Sequence, residues 1–194
     1  MAERRGIRIR VLPLILALAL AGCGAGSGGS GASTKRSTTP PRSTLGTIVV
    51  SSPAFRPGGA MPRRYTCDGA GLSPPLAWRN VPARSVELLL LAIDLDGGHT
   101  DAVQWAVGGL PASAPGISAG RLPPGAVVGR GGAGDARWGG ICGARGRVHH
   151  VAFLLYALDR KLGLRAGFDP ATLRGGLSSA TVARGLTVAT YRRP

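Results

Sequence analysis

The chain of 194 residues carries 24 Lys and Arg against 9 Asp and Glu, a formal charge of +15 with a pI of about 11.6. Such a balance suggests a nucleic-acid partner. However, seven of the basic residues precede Ser43, leaving 17 against 8 acidic ones, or +9, scattered singly or in pairs with no basic run and no interleaved aromatics on which bases could stack. The composition therefore argues against nucleic acid, and the residual charge suits attraction to anionic lipid headgroups.

Arg4, Arg5, Arg8 and Arg10 lead into a 12-residue apolar stretch, Val11 to Gly22. That is shorter than the roughly 20 residues a membrane span needs, but it matches a signal-peptide core. The stretch closes on Leu20-Ala21-Gly22-Cys23, which resembles a bacterial lipobox. Residues 1–22 are thus expected to be a signal peptide, with Cys23 the lipidated mature N-terminus held by at least two acyl chains. Residues 23–43 are mostly Gly, Ser, Thr and Pro, too poor in apolar side chains to order themselves, and read as a flexible tether. Residues 44–194 suffice for one domain.

Within that domain Thr47 to Ser51 reads as a strand, and Val86 to Ile93 as a strand buried on both faces. Ala102 to Val107 and Val151 to Leu158 are further strands, separated by Gly/Pro-rich connections. Asp169-Pro170 predicts a short helix to about Leu173, with Asp at the N-cap and Pro at the first helical position. A second helix is expected over Ser178 to Arg184, stopped by Gly185, with a final strand over Leu186 to Tyr191. The class is mainly β with a few short helices. Once Cys23 is assigned to lipid, Cys67 and Cys142 remain as a disulfide or as two buried thiols.

Several stretches occur together in one order: Ser52-Pro53-Ala54-Phe55, Tyr65-Thr66-Cys67-Asp68-Gly69, Ser73-Pro74-Pro75-Leu76 with Trp78, Asp94-Leu95-Asp96, Ala126 to Gly129, and His149 through Asp159. In this the chain resembles the phosphatidylethanolamine-binding protein family, in its bacterial Raf-kinase-inhibitor-like branch. The resemblance implies a large central antiparallel sheet, a smaller packed sheet and short C-terminal helices. It also implies a pocket for phosphate or a phosphoryl headgroup, no cofactor, and a bridge between Cys67 and Cys142.

Carried over residue by residue, the ligand-binding positions are Asp94, Asp96, Gln104, Trp105, Gly140, Cys142 and His149. Leu95 replaces the proline of an Asp-Pro-Asp motif, Gln104 the histidine of a His-Trp pair, and Val151 a tyrosine. His150 stands where arginine is usual. Gly140-Ile141-Cys142-Gly143-Ala144 occupies the place of Gly-Pro-Cys-Pro-Pro, so the rim lacks its stiffening prolines and is expected to be looser. An amide at Gln104 keeps a donor but no positive charge, so anion binding should be weakened or altered.

Read without the resemblance, Asp94 and Asp96 would end a strand and cap a turn at Gly97-Gly98, and His149 would be a core histidine. His99 and Asp101 sit in a variable loop. The sequence offers no nucleophile with an adjacent base, no metal-ligand spacing and no nucleotide-binding glycine loop, so a binding protein is expected rather than an enzyme. An alternative is an envelope interaction or inhibitor protein with a vestigial pocket.

Overall fold

The computed structural model describes residues 44–97, 103–131, 134 and 136–194. The expected signal peptide, Cys23, the tether to residue 43, and His99 and Asp101 lie outside these described residues.

Alternation along the β4 strand, Glu87–Asp94, explains the layers of the fold. Leu88, Leu90 and Ala92 point into one core, while Leu89 and Leu91 point into another. Both faces of this strand are covered, as its unbroken apolar run requires. It lies between β5 (Val103–Pro111) and β8 (Val148–Leu158), and β8 pairs along its whole length with β9 (Thr181–Arg192).

The sheet order is β1-β9-β8-β4-β5-β7, with β1 at Gly46–Thr47 and β7 at Val127–Val128. A second sheet, ordered β2-β3-β6, comprises Val49–Ser51, Leu76–Arg79 and Gly116–Ile117. It lays Val50, Leu76, Trp78 and Ile117 against Leu90, Val107, Phe153 and Leu155 of the large sheet. Burying each such side chain stabilises the fold by about 1.5–3 kcal/mol.

The opposite face of the large sheet is covered by the segment that follows β8. Leu162, Leu164, Phe168, Leu173, Leu177 and Ala180 close over Leu89, Leu91, Ala106 and Leu158. A 3-10 turn, Pro170–Leu173, lies within this cover where the sequence predicts a short helix, with Asp169 accepting from the Ala171 N–H at 2.9 Å. Among the described residues no helix is long and apolar enough to cross a membrane.

Four expectations are corrected. The large sheet is mixed rather than antiparallel, because β1 runs parallel to β9. Thr47 to Ser51 is not one strand, since the chain leaves the large sheet after Thr47 and joins the small one at Val49. The helix expected over Ser178 to Arg184 lies earlier, as α1 (Arg174–Ala180), the one α-helix among the described residues. The last strand begins at Thr181, not Leu186, because Thr181, Val182 and Ala183 pair or pack against the sheet, and β-branched side chains favour that surface.

At Gly185 the strand passes Ile48, the residue between β1 and β2, so closely that an added Cβ would meet the Ile48 carbonyl oxygen at 2.0 Å. Gly185→Ala is therefore expected to lower stability by about 1–3 kcal/mol through overpacking, read as a lower urea midpoint at unchanged slope. Gly175→Ala, on α1 with open space around the new Cβ, is expected to raise the midpoint slightly.

Candidate functional site

Asp94 ends β4 and His149 is the second residue of β8, with Asp94 in register with Val151. Alternation puts both side chains on the main-core face, where they are 5% and 6% exposed. His149 Nδ1 lies 2.8 Å from Asp94 Oδ2. The Ala144 N–H donates to His149 Nε2 at 3.0 Å. A carboxylate only accepts and a backbone N–H only donates, so the ring proton belongs on Nδ1 and the imidazole is neutral. Both ring nitrogens are thereby used, and neither is left to donate to an anion.

A second carboxylate–imidazole pair lies beside the first and is exposed. Asp96 Oδ2 accepts from the His150 N–H at 2.6 Å and from His150 Nδ1 at 2.8 Å. The Asp96 N–H in turn donates to Asp94 Oδ1 at 3.0 Å, so Asp94 caps this turn as well as holding the imidazole. The Leu95 N–H donates to the His150 carbonyl at 2.8 Å, a bond that proline in that position could not make. The His150 side chain, then its backbone N–H, hold the Asp96 carboxyl below its ordinary value of 3.8.

The rim is tied down rather than loose. Cys67 and Cys142 are bridged, with Cα atoms 5.4 Å apart. The Cys67 N–H donates to the Ile141 carbonyl at 3.2 Å, and Thr66 and Ile141 form a parallel bridge. Ile141 is buried in the main core, where its side chain replaces the expected proline. On the Cys67 side, Asp68 accepts from the Tyr191 hydroxyl and from Arg193 Nε, while its own carbonyl accepts from Arg63 Nε at 2.6 Å. Gly143 presses on the imidazole, and a Cβ there would stand 2.2 Å from His149 Cδ2. Only a residue without Cβ fits this approach.

Of the positions singled out in the sequence, Asp94 and His149 converge with the end of the 140–144 loop at Gly143 and Ala144, Asp96 joins them through the turn, and Gly140 and Cys142 lie against the Cys67 segment. Gln104 is the extra residue of a β-bulge in β5, where Ala92 faces Trp105 and Ile93 faces Val103. Trp105 is 2% exposed and packs edge-on to Trp138 at 5.3 Å in the main core. Its indole N–H is buried without an acceptor among the described residues. Ala144, Gly143, Tyr191 and Asp68 were not singled out as site residues. Only Ala144 and Gly143 carried a signal, the missing prolines, and its sign was read as loss.

Known proteins share this architecture. The family model described as phosphatidylethanolamine-binding protein matches residues 51–192. A UPF0098 protein of Methanothermobacter thermautotrophicus is 40% identical over 119 residues, covering 59% of this chain and 78% of the relative. A Mycobacterium tuberculosis protein, LppC, whose name describes it as a candidate lipoprotein, is 32% identical over 137 residues, covering 70% of this chain and 67% of its own length. A crystal structure from Chlamydia trachomatis, described as a candidate homolog of phosphatidylethanolamine-binding protein, superposes with a TM-score of 0.71 at 27% identity. It covers 76% of this chain and 99% of that one.

Two outcomes test the site's construction. Because its folded pKa is depressed, Asp96 contributes stability above about pH 3.8 that is lost as pH falls through the lowered value. A carboxyl NMR titration should find its midpoint below 3.8, moving up in His150→Ala. Reducing the bridge, which spans 75 residues, should cost about 2–4 kcal/mol, measured as a loss of denaturation midpoint.

Proposed function

The chain belongs to the phosphatidylethanolamine-binding protein family, and on that premise we propose that it is a lipid-anchored, extracytoplasmic binding protein with a latent site for a small phosphoryl anion, free or as a headgroup. The site comprises Asp94, His149 and the 140–144 loop, with Asp96 bracing the turn. The lipoprotein-named relative supports anchoring through Cys23.

Latency rests on His149, whose Nε2 already accepts the Ala144 N–H. An imidazole in that state offers phosphate a lone pair, which repels it, rather than a donor. An anion gains the ring only if the loop withdraws and the ring takes a proton on Nε2, with Asp94 then balancing the imidazolium charge. The buried Trp105 N–H, in the same core, is a donor that a bound anion would satisfy. Affinity is altered from the family's expectation more by this cap than by Gln104.

The reading is non-enzymatic. Among the described residues His149 contacts no hydroxyl or thiol that it could activate, and a carboxylate–imidazole pair alone lacks a nucleophile. A second reading is an envelope interaction protein in which the imidazole is purely structural. Its support is the same complete satisfaction of both ring nitrogens.

Restoring the proline separates the two. In NMR titrations with phosphate and phosphoethanolamine, the natural chain should show binding no tighter than about tens of millimolar. Ala144→Pro, which deletes one N–H and frees Nε2, should tighten it by about tenfold, the equivalent of one hydrogen bond. Equal, negligible binding by both proteins would favour the interaction reading.

A further inference from the structure

The tether does not join the domain at an arbitrary point. It enters beside Leu45, ahead of the edge strand β1, and Leu45 is 48% exposed there. A groove of about 610 Å³ runs along this edge, lined by Leu45, Leu154, Arg184 and Leu186 among others. Leu154 and Leu186 face each other in register on β8 and β9, and Leu186 is 57% exposed. The segment that covers this face of the sheet packs on Leu89, Leu91 and Leu158 but does not reach these two leucines. On the other side of Leu45 lies a cleft of about 350 Å³ lined by Arg84, Ser179 and Thr181. Asp159, in the same cleft, is already held by Arg160 at 3.1 Å. Arg84 and Arg184 have no ion pair among the described residues.

We propose that this β1/β9 edge is the surface by which the domain rests on an anionic lipid bilayer. The inference rests on the reading of Cys23 as the lipid anchor. Twenty residues separate Cys23 from Thr44, and a chain of that length reaches at most roughly 70 Å. The edge is therefore where the anchored chain enters the domain, and tethering there gives even a weak contact with the membrane a high effective concentration. Its leucines supply shallow apolar insertion, and its unpaired guanidiniums match anionic headgroups. Each basic side chain near such a surface raises the bound population about fivefold.

The test uses the full lipidated protein reconstituted into vesicles with brominated acyl chains, with or without anionic lipid. One variant carries Leu186→Trp. The control carries Leu95→Trp at an equally exposed leucine (59%) beyond the opposite end of β4. Native Trp78 and Trp105 are buried and, with Trp138, contribute the same background to both. On anionic vesicles the emission at position 186 should fall by about half or more, as expected for side chains at the acyl boundary, while position 95 is spared. Adding Arg84→Glu and Arg184→Glu should return position 186 to the control level.

Equal quenching at both positions with acylated Cys23, verified by mass, overturns the docking surface alone. An unacylated Cys23 overturns the anchor reading and this inference with it. Shielding of position 186 that grows with protein concentration and ignores lipid charge assigns the edge to a second copy of the chain, and also overturns it.

Discussion

Everything at the candidate site depends on the Asp94 carboxylate holding the proton of His149 on Nδ1. Asp94 is placed to do so because β4 and β8 pair without interruption from Glu87 and Leu158 to Asp94 and Val151, which sets the two side chains on one face at the sheet's end. With the proton on Nδ1, Nε2 becomes an acceptor, and among the described residues it takes the Ala144 N–H. The same carboxylate takes the Asp96 N–H on its other oxygen, so the turn, the second carboxylate and His150 follow from one anchoring group. Both Asp94 oxygens are thus matched by donors, as buried polar atoms require.

Proline replacement acts here as a gain of hydrogen-bonding groups rather than a loss of stiffness. Leu95 contributes an N–H to the His150 carbonyl, and Ala144 contributes one to the imidazole. Gly143 removes the side chain that would hold the loop off the ring. The last two departures leave the His149 ring covered by the loop, and the first ties the turn at Leu95 to β8. The bridge from Cys67 to Cys142, with Ile141 buried between the loop and the core, holds the cover in place.

Much of the fold was legible because its strands are long and apolar. Leu88 to Ile93 could hardly be anything but a doubly covered strand, although Val86, at the start of the expected run, is exposed and precedes it, and the Asp169-Pro170 start announced its turn. The second helix was misplaced because Ser178 and Ser179 look like a helix start when they are its last turn, held by side-chain bonds to the Gly175 and Gly176 carbonyls. Asp94 and His149 were legible as a pair only through the family resemblance, since spacing alone is silent about which strands become neighbours. The role of Ala144 was not legible at all: a backbone N–H has no side-chain signature, and its partner lies across a loop whose path only the fold determines. The packing of Trp105 on Trp138 was not legible either, since the motif marks Trp105 for the pocket and says nothing of its neighbour.

The state of the His149 ring tests the account most directly. A long-range proton–nitrogen NMR spectrum of the imidazole at neutral pH should show the proton on Nδ1, a bare Nε2, and coupling from that nitrogen to the Ala144 amide proton. A ring protonated on Nε2, with the Ala144 amide uncoupled from it, would contradict the account and leave His149 free to donate to an anion.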